Sequence, residues 1–383
     1  MNKNILNSLK IFLAFLIAPA AFLAYGKPMV ILIILFVIIS LLEGFRLPIK
    51  ESHQKWLLIL GAYTLISALW SPWPKNVFES SLHLLPLLFA VCIITDSTQS
   101  LRLSYNSLMV GLITLMLISV IDILSHGMIT KIFTTYTVDK PWHNSNITPT
   151  ITVIFCFFWP LFSWGVTLQK KYLSLLLGFF VFLIPWLTPH YAGRSALILG
   201  FIVFCIVWFF RRFAVICLGV VLMFYIIIAP FLSSTILQPQ RWEKFLIDFR
   251  ASGLHRLYIW EYVSSLISQR PLLGFGLSSS KLIPAGTNNP MGISSLPLHP
   301  HNGALQVWLE LGAIGVIIFL VFLFIILKNI TCIKSKIHQA SAAAGLTTVF
   351  VFFSVSYGLW QSWWIATMGL TAFLFIQNSK PQQ

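Results

Sequence analysis

The run SALILGFIVFCIVWFF (195–210), the pair Arg211-Arg212 and the run FAVICLGVVLMFYIIIAPFLS (213–233) decide what kind of protein this is. Neither run contains an acid or a base, and only the two arginines separate them. A hydrocarbon core of ~30 Å needs about 20 apolar residues per helix, so the stretch predicts two membrane spans joined by a basic turn. The pattern repeats along the chain. Apolar runs near 10–26, 28–45, 55–72, 80–96, 103–125, 147–168, 172–189, 195–210, 213–233, 303–327, 340–357 and 359–377 predict twelve transmembrane helices. The fold class expected is an all-α polytopic membrane protein. The first run also has the small-residue end of a cleavable signal peptide, but a second span follows almost at once.

Composition agrees: 58% of the 383 residues are hydrophobic and 9% charged, against roughly 25% charged in soluble domains. A water-soluble enzyme is excluded. The net charge of +15 would suggest a nucleic-acid partner in a soluble protein, but here much of it lies in loops at membrane surfaces, and no nucleic acid is expected. The five cysteines show no C-x-x-C spacing, so neither a zinc site nor a disulfide framework is implied.

Placing the N-terminus in the cytoplasm puts fourteen basic residues in short inner loops and tails and five in short outer ones, Lys27, Lys75, Lys131, Lys140 and Arg194. That bias sets the orientation by the positive-inside rule. The expected organisation is nine spans over 1–233, a long periplasmic loop over 234–302, and three spans with a short cytoplasmic tail over 303–383. The long loop carries Arg241, Lys244, Arg250, Arg256, Arg270 and Lys281. Long loops translocate regardless of charge, so these six do not contradict the topology.

Within that loop, 253–269 reads as a helix with Trp260, Val263 and Ile267 on one stripe. Arg256 falls on the same stripe, which points it toward a cavity or has it snorkel over apolar surface. Pro271-Leu272-Leu273-Gly274-Phe275-Gly276 then predicts a tight turn with backbone freedom at both glycines. His299-Pro300-His301-Asn302 follows, leading into a membrane helix that holds Glu310. Imidazole near neutral pH can take a proton from a hydroxyl, and a neighbouring amide such as Asn302 could fix its tautomer. The plainer alternatives are two interfacial histidines at a helix start, or an H-x-H metal site, which no acidic cluster accompanies. Arg194 stands outside and at a helix N-terminus, where both the charge bias and the helix dipole disfavour a cation unless an anion is bound. With Arg256 it suggests a diphosphate clamp; a lipid-headgroup contact is the alternative.

Arg256-Leu257-Tyr258-Ile259-Trp260, then Arg270 through Gly276, then His301-Asn302, then Glu310-Leu311-Gly312-Ala313-Ile314-Gly315, together resemble the O-antigen ligase and polymerase superfamily. The resemblance implies a GT-C-like, metal-independent inverting glycosyltransferase of the bacterial inner membrane with its active site facing the periplasm and no cofactor. Its donor would be a glycan on undecaprenyl diphosphate, and its acceptor, in the ligase branch, the lipid A-core. The family's essential histidine maps onto His301, and its diphosphate-binding arginines onto Arg194 and Arg256. His299, Asn302 and Glu310 are supporting positions. A polysaccharide polymerase of the same superfamily is the main alternative, followed by a lipid-linked-sugar flippase or other transporter and by a protein glycosyltransferase.

Overall fold

The computed structural model describes residues 8–13, 16, 28–42, 51–96, 103–133, 147–188, 190–249, 251–284, 286 and 295–378. The predicted first span, and the loop residues Lys27, Lys140 and Arg250, lie wholly or largely outside them. Among the described residues there is no strand. The helices are α1 (Met29–Leu42), α2 (Ser52–Ile66), α3 (Pro74–Ile94), α4 (Tyr105–Leu124), α5 (Met128–Phe133), α6 (Thr148–Thr167), α7 (Lys171–Leu183), α8 (Tyr191–Thr235), α9 (Pro239–Phe249), α10 (Ala251–Gln269), α11 (Gly303–Thr331), α12 (Lys336–Val355) and α13 (Ser362–Asn378).

Six of these, α3, α4, α6, α8, α11 and α12, are long and apolar enough to cross a membrane, and α1 and the α7 region are shorter apolar helices. This is a multi-pass helical membrane protein. From the second run onward the helices fall where the apolar runs lie, but twelve is more than length and hydropathy support helix by helix. Starts are set by local chemistry: Pro74 occupies the first turn of α3, and the Ser104 hydroxyl caps α4 by accepting from Ser107 N.

The two runs around Arg211-Arg212 form one 45-residue helix only in name. Arg211 has φ 55° and ψ −129°, which no helix continues through. Just before the break, Trp208 lies under the Lys336 ammonium, and Arg211 Nη2 donates to Lys334 O, both at the start of α12. Moving away from the break in either direction leads along α12 the same way. Ala196 O meets Thr348 Oγ1 on one side, and Tyr225 stacks edge-on with Phe350 on the other. α8 is therefore a hairpin with the arginines at its tip.

α6 is the centre of the larger core, with Ile151, Phe155, Phe157 and Trp159 fully buried. A second core joins the later half of α8 to α10, α11 and α12. The outward faces of α8 carry Phe209, Phe213, Val220, Phe224 and Phe231, each more than half exposed. Such a large apolar surface is compatible with lipid and not with water.

Candidate functional site

Two of the sequence motifs fold against each other. α11 breaks at Gly312, where φ is 61° and ψ −166°. An unbroken helix would bond Ala313 N to Leu309 O and Ile314 N to Glu310 O. Instead residues 271–276 enter the gap. Phe275 N and Gly276 N donate to Leu309 O (2.9 Å) and Glu310 O (2.7 Å), while Ala313 N and Ile314 N donate to Pro271 O and Leu272 O. The four backbone groups of these two bonds are satisfied, as burial requires, and Leu311 O accepts from Tyr63 OH. Gly274, at φ 68°, sits so close that a Cβ would lie 2.6 Å from the Glu310 carbonyl carbon, and one on Gly312 would overlap the Leu272 carbonyl. The glycines serve backbone-to-backbone approach as well as the turn.

Above the break, the histidines stand where the loop enters α11. Asn302 is the N-cap, its Oδ1 accepting from Leu305 N at 3.2 Å, and its Nδ2 donates to Tyr225 OH. That corrects the expectation that Asn302 orients an imidazole: both ends of its amide are engaged elsewhere. His301 is instead held from the α12–α13 connection, with Nδ1 2.7 Å from Ser356 O. A carbonyl oxygen only accepts, so the proton is on Nδ1 and the Nε2 lone pair is left to act as a base. His301 has φ 54°, a left-handed conformation that costs a non-glycine residue roughly 1–2 kcal/mol and needs the surroundings to hold it. The His299 and His301 rings lie 4.2 Å apart between centroids, and His299 packs against Gly358.

The arginine of the α10 stripe belongs to the same place. Arg256 is half-buried, and its charge acts on both imidazoles. Burial foremost, joined by Arg256 and His255 and opposed by the Ser356 bond, holds His301 below the ordinary 6.5. Burial and the adjacent His301 bring His299 down to about 4. Both histidines are therefore neutral near pH 7.

Arg194 makes its own local contacts. Its Nε and Nη2 donate to Pro185 O and Thr188 O, and its guanidinium is sandwiched by Trp186 and Tyr191, each 4.7 Å away. No described hydrogen bond or ring contact joins it to the histidine pair. Three of its five N–H groups remain after those two bonds. Glu310 is fully buried and accepts four hydrogen bonds, from Ser278 N, Ser280 Oγ, Gln306 Nε2 and Trp360 Nε1. Among the described residues, no three His, Cys, Asp or Glu side chains gather where a metal could be held.

Ser356 and Trp360 are site residues that motif reading missed. The signal available was the short polar break, Ser356-Tyr357-Gly358 and Trp360-Gln361-Ser362, between two apolar runs.

A family model described as O-antigen ligase matches residues 171–320, a span that contains every one of these candidate residues up to Glu310. A Rickettsia prowazekii (strain Madrid E) protein named "Putative polysaccharide ligase" is 30% identical over 320 residues, covering 80% of this chain and 76% of the relative. The chain belongs to the O-antigen ligase family. Relatives with the same name from Rickettsia typhi (strain Wilmington) and Rickettsia conorii (strain Malish 7) are 30% identical over 327 residues and 29% over 326. They cover 82% and 81% of this chain, and 78% and 76% of their own lengths. Membership gives the protein a ligase- or polymerase-type role in membrane glycan processing.

Proposed function

We propose that the protein transfers a glycan from undecaprenyl diphosphate to the lipid A-core on the periplasmic side of the bacterial inner membrane. The observation that carries the chemistry is the His301–Ser356 bond, which leaves a neutral imidazole with a free Nε2 lone pair within the electrostatic reach of Arg256. In this reading Nε2 takes the proton from the acceptor hydroxyl as its oxygen bonds to the anomeric carbon. The bond from that carbon to the diphosphate oxygen breaks on the opposite face, so the configuration inverts, and His301 later releases its proton to water. Arg256 stabilises the charge building on the departing diphosphate, with Arg194 contacting the same group or the lipid head behind it. Fixed cations replace a metal in this role.

The test is transfer by the purified protein in lipid nanodiscs, with undecaprenyl-diphosphate-linked glycan and lipid A-core. Transfer is expected, and it is expected to survive EDTA. Loss on chelation, restored by a divalent cation, would move the mechanism to a metal site. Elongation of the lipid-linked glycan with no product on the core would make the protein a polymerase.

Because the base must be neutral and burial lowers its proton affinity, the acid limb of kcat/KM is expected to have its midpoint below pH 6.5. An acid limb at or above 6.5 would take His301 out of this role.

A further inference from the structure

We propose that Glu310 is the positioning residue of the histidine site, its carboxylate fixing the connection that holds His301 in the base-competent tautomer. The inference rests on the reading of His301 as the base, and deepens it.

The four donors on Glu310 come from three parts of the chain. Ser278 N and Trp360 Nε1 reach Oε2, each at 2.6 Å. Ser280 Oγ at 2.6 Å and Gln306 Nε2 at 3.1 Å reach Oε1. The Gln306 amide is oriented by its other end, where Oε1 accepts from Leu359 N at 2.8 Å. Glu310 and Gln306 together thus grip two successive residues of the α12–α13 connection, Leu359 and Trp360. That connection is also the wall of the site. Ser356 O receives the His301 proton, and Gly358 lies against the His299 ring.

A carboxylate suits this position because only it accepts on both oxygens. In the less costly orientation an amide keeps its oxygen on Ser278 N and Trp360 Nε1, lets its NH2 donate to the Ser280 hydroxyl, and is left with hydrogens facing the hydrogens of the buried Gln306 amide. Displacing the Gln306 amide would then loosen the connection at Leu359, three residues from the carbonyl that sets the imidazole. Among the described residues the His301 ring has no hydrogen bond other than that to Ser356 O, so its tautomer depends on that carbonyl staying in place.

The decisive measurement is the histidine tautomer, read by 15N NMR of labelled protein in lipid, with His301→Asn locating the resonance. Wild type is expected to show the Nδ1–H form, and Glu310→Gln a mixture with the Nε2–H form. In the transfer assay Glu310→Gln is expected to lose kcat in proportion to the Nδ1–H fraction, up to about 10-fold for a mixture in which both forms are seen, with the donor KM nearly unchanged. Its acid limb should move to lower pH, because the Ser356 bond favours the protonated ring. If Glu310→Gln does not fold, Trp360→Phe removes one donor while leaving the carboxylate, and the same tautomer mixture is expected at smaller amplitude. An unchanged Nδ1–H signal in the folded variant overturns the proposal. A tautomer change in a protein whose wild type shows no transfer would sustain the positioning role and instead sink the ligase reading.

Discussion

Replacing His301 by alanine is expected to lower transfer by about 10²–10⁴-fold, the usual cost of removing a positioned general base. Binding of the lipid-linked donor should persist. The residue has φ 54°, a conformation alanine resists and asparagine accepts more readily, so His301→Asn is the companion variant that keeps the backbone. His299→Ala should retain partial activity, since among the described residues His299 Nδ1 meets no hydrogen-bond partner and the ring packs on Gly358. Near-normal transfer by His301→Asn, or complete loss only in the His299 variant, would assign the base to the other ring. Melting temperature measured alongside separates a rate effect from a folding one.

The second large effect is expected at Arg256. Lysine preserves the charge but not the planar fork, and a hydrogen bond to a charged group contributes about 1.5–3 kcal/mol. Arg256→Lys should therefore lose about 10- to 100-fold in transfer while expressing normally. Arg194→Lys tests a different arrangement, because that guanidinium is fastened to Pro185 O and Thr188 O and stacked between two rings. Its loss should be accompanied by lower thermal stability. Wild-type rates in both lysine variants would dismiss a role for either guanidinium at the diphosphate.

The helical architecture was legible because apolar run length is a one-dimensional signal. The double arginine at 211–212 marked a turn that helix periodicity alone runs through, and the hairpin is there. Arg256 on an apolar stripe and His301 where a loop enters a helix could be placed from sequence, and their roles belong to the proposed function. What escaped were contacts between distant segments. Nothing in Leu309-Glu310-Leu311-Gly312-Ala313 tells that a second segment lies inside the helix, because the apolar pattern continues past Gly312 without a phase change. Ser356 is 55 residues from the ring it orients, and a backbone carbonyl leaves no mark on sequence. Asn302 was misjudged for the opposite reason: proximity along the chain suggested a partner for the histidine, when the nearer demand was the uncapped start of α11.

The break at Gly312 also bears on how the protein sits in bilayers of different thickness. At 1.5 Å per residue, α11 unbroken would be about 44 Å long, well beyond a ~30 Å hydrocarbon core. Divided at Gly312, residues 313–331 make a shaft of about 28 Å that matches the core by itself. Residues 303–311 are tied to the 271–276 segment and to α8, through Trp308 Nε1 on Ile226 O. The same segment also holds Ala313 and Ile314 at the start of the shaft, so a thinner or thicker membrane is met by tilting both parts together, at a cost of fractions of a kcal/mol per Å. Gly312 thus shortens the lipid-spanning part of α11 to the thickness of the core without loosening it from the turn that follows the histidines.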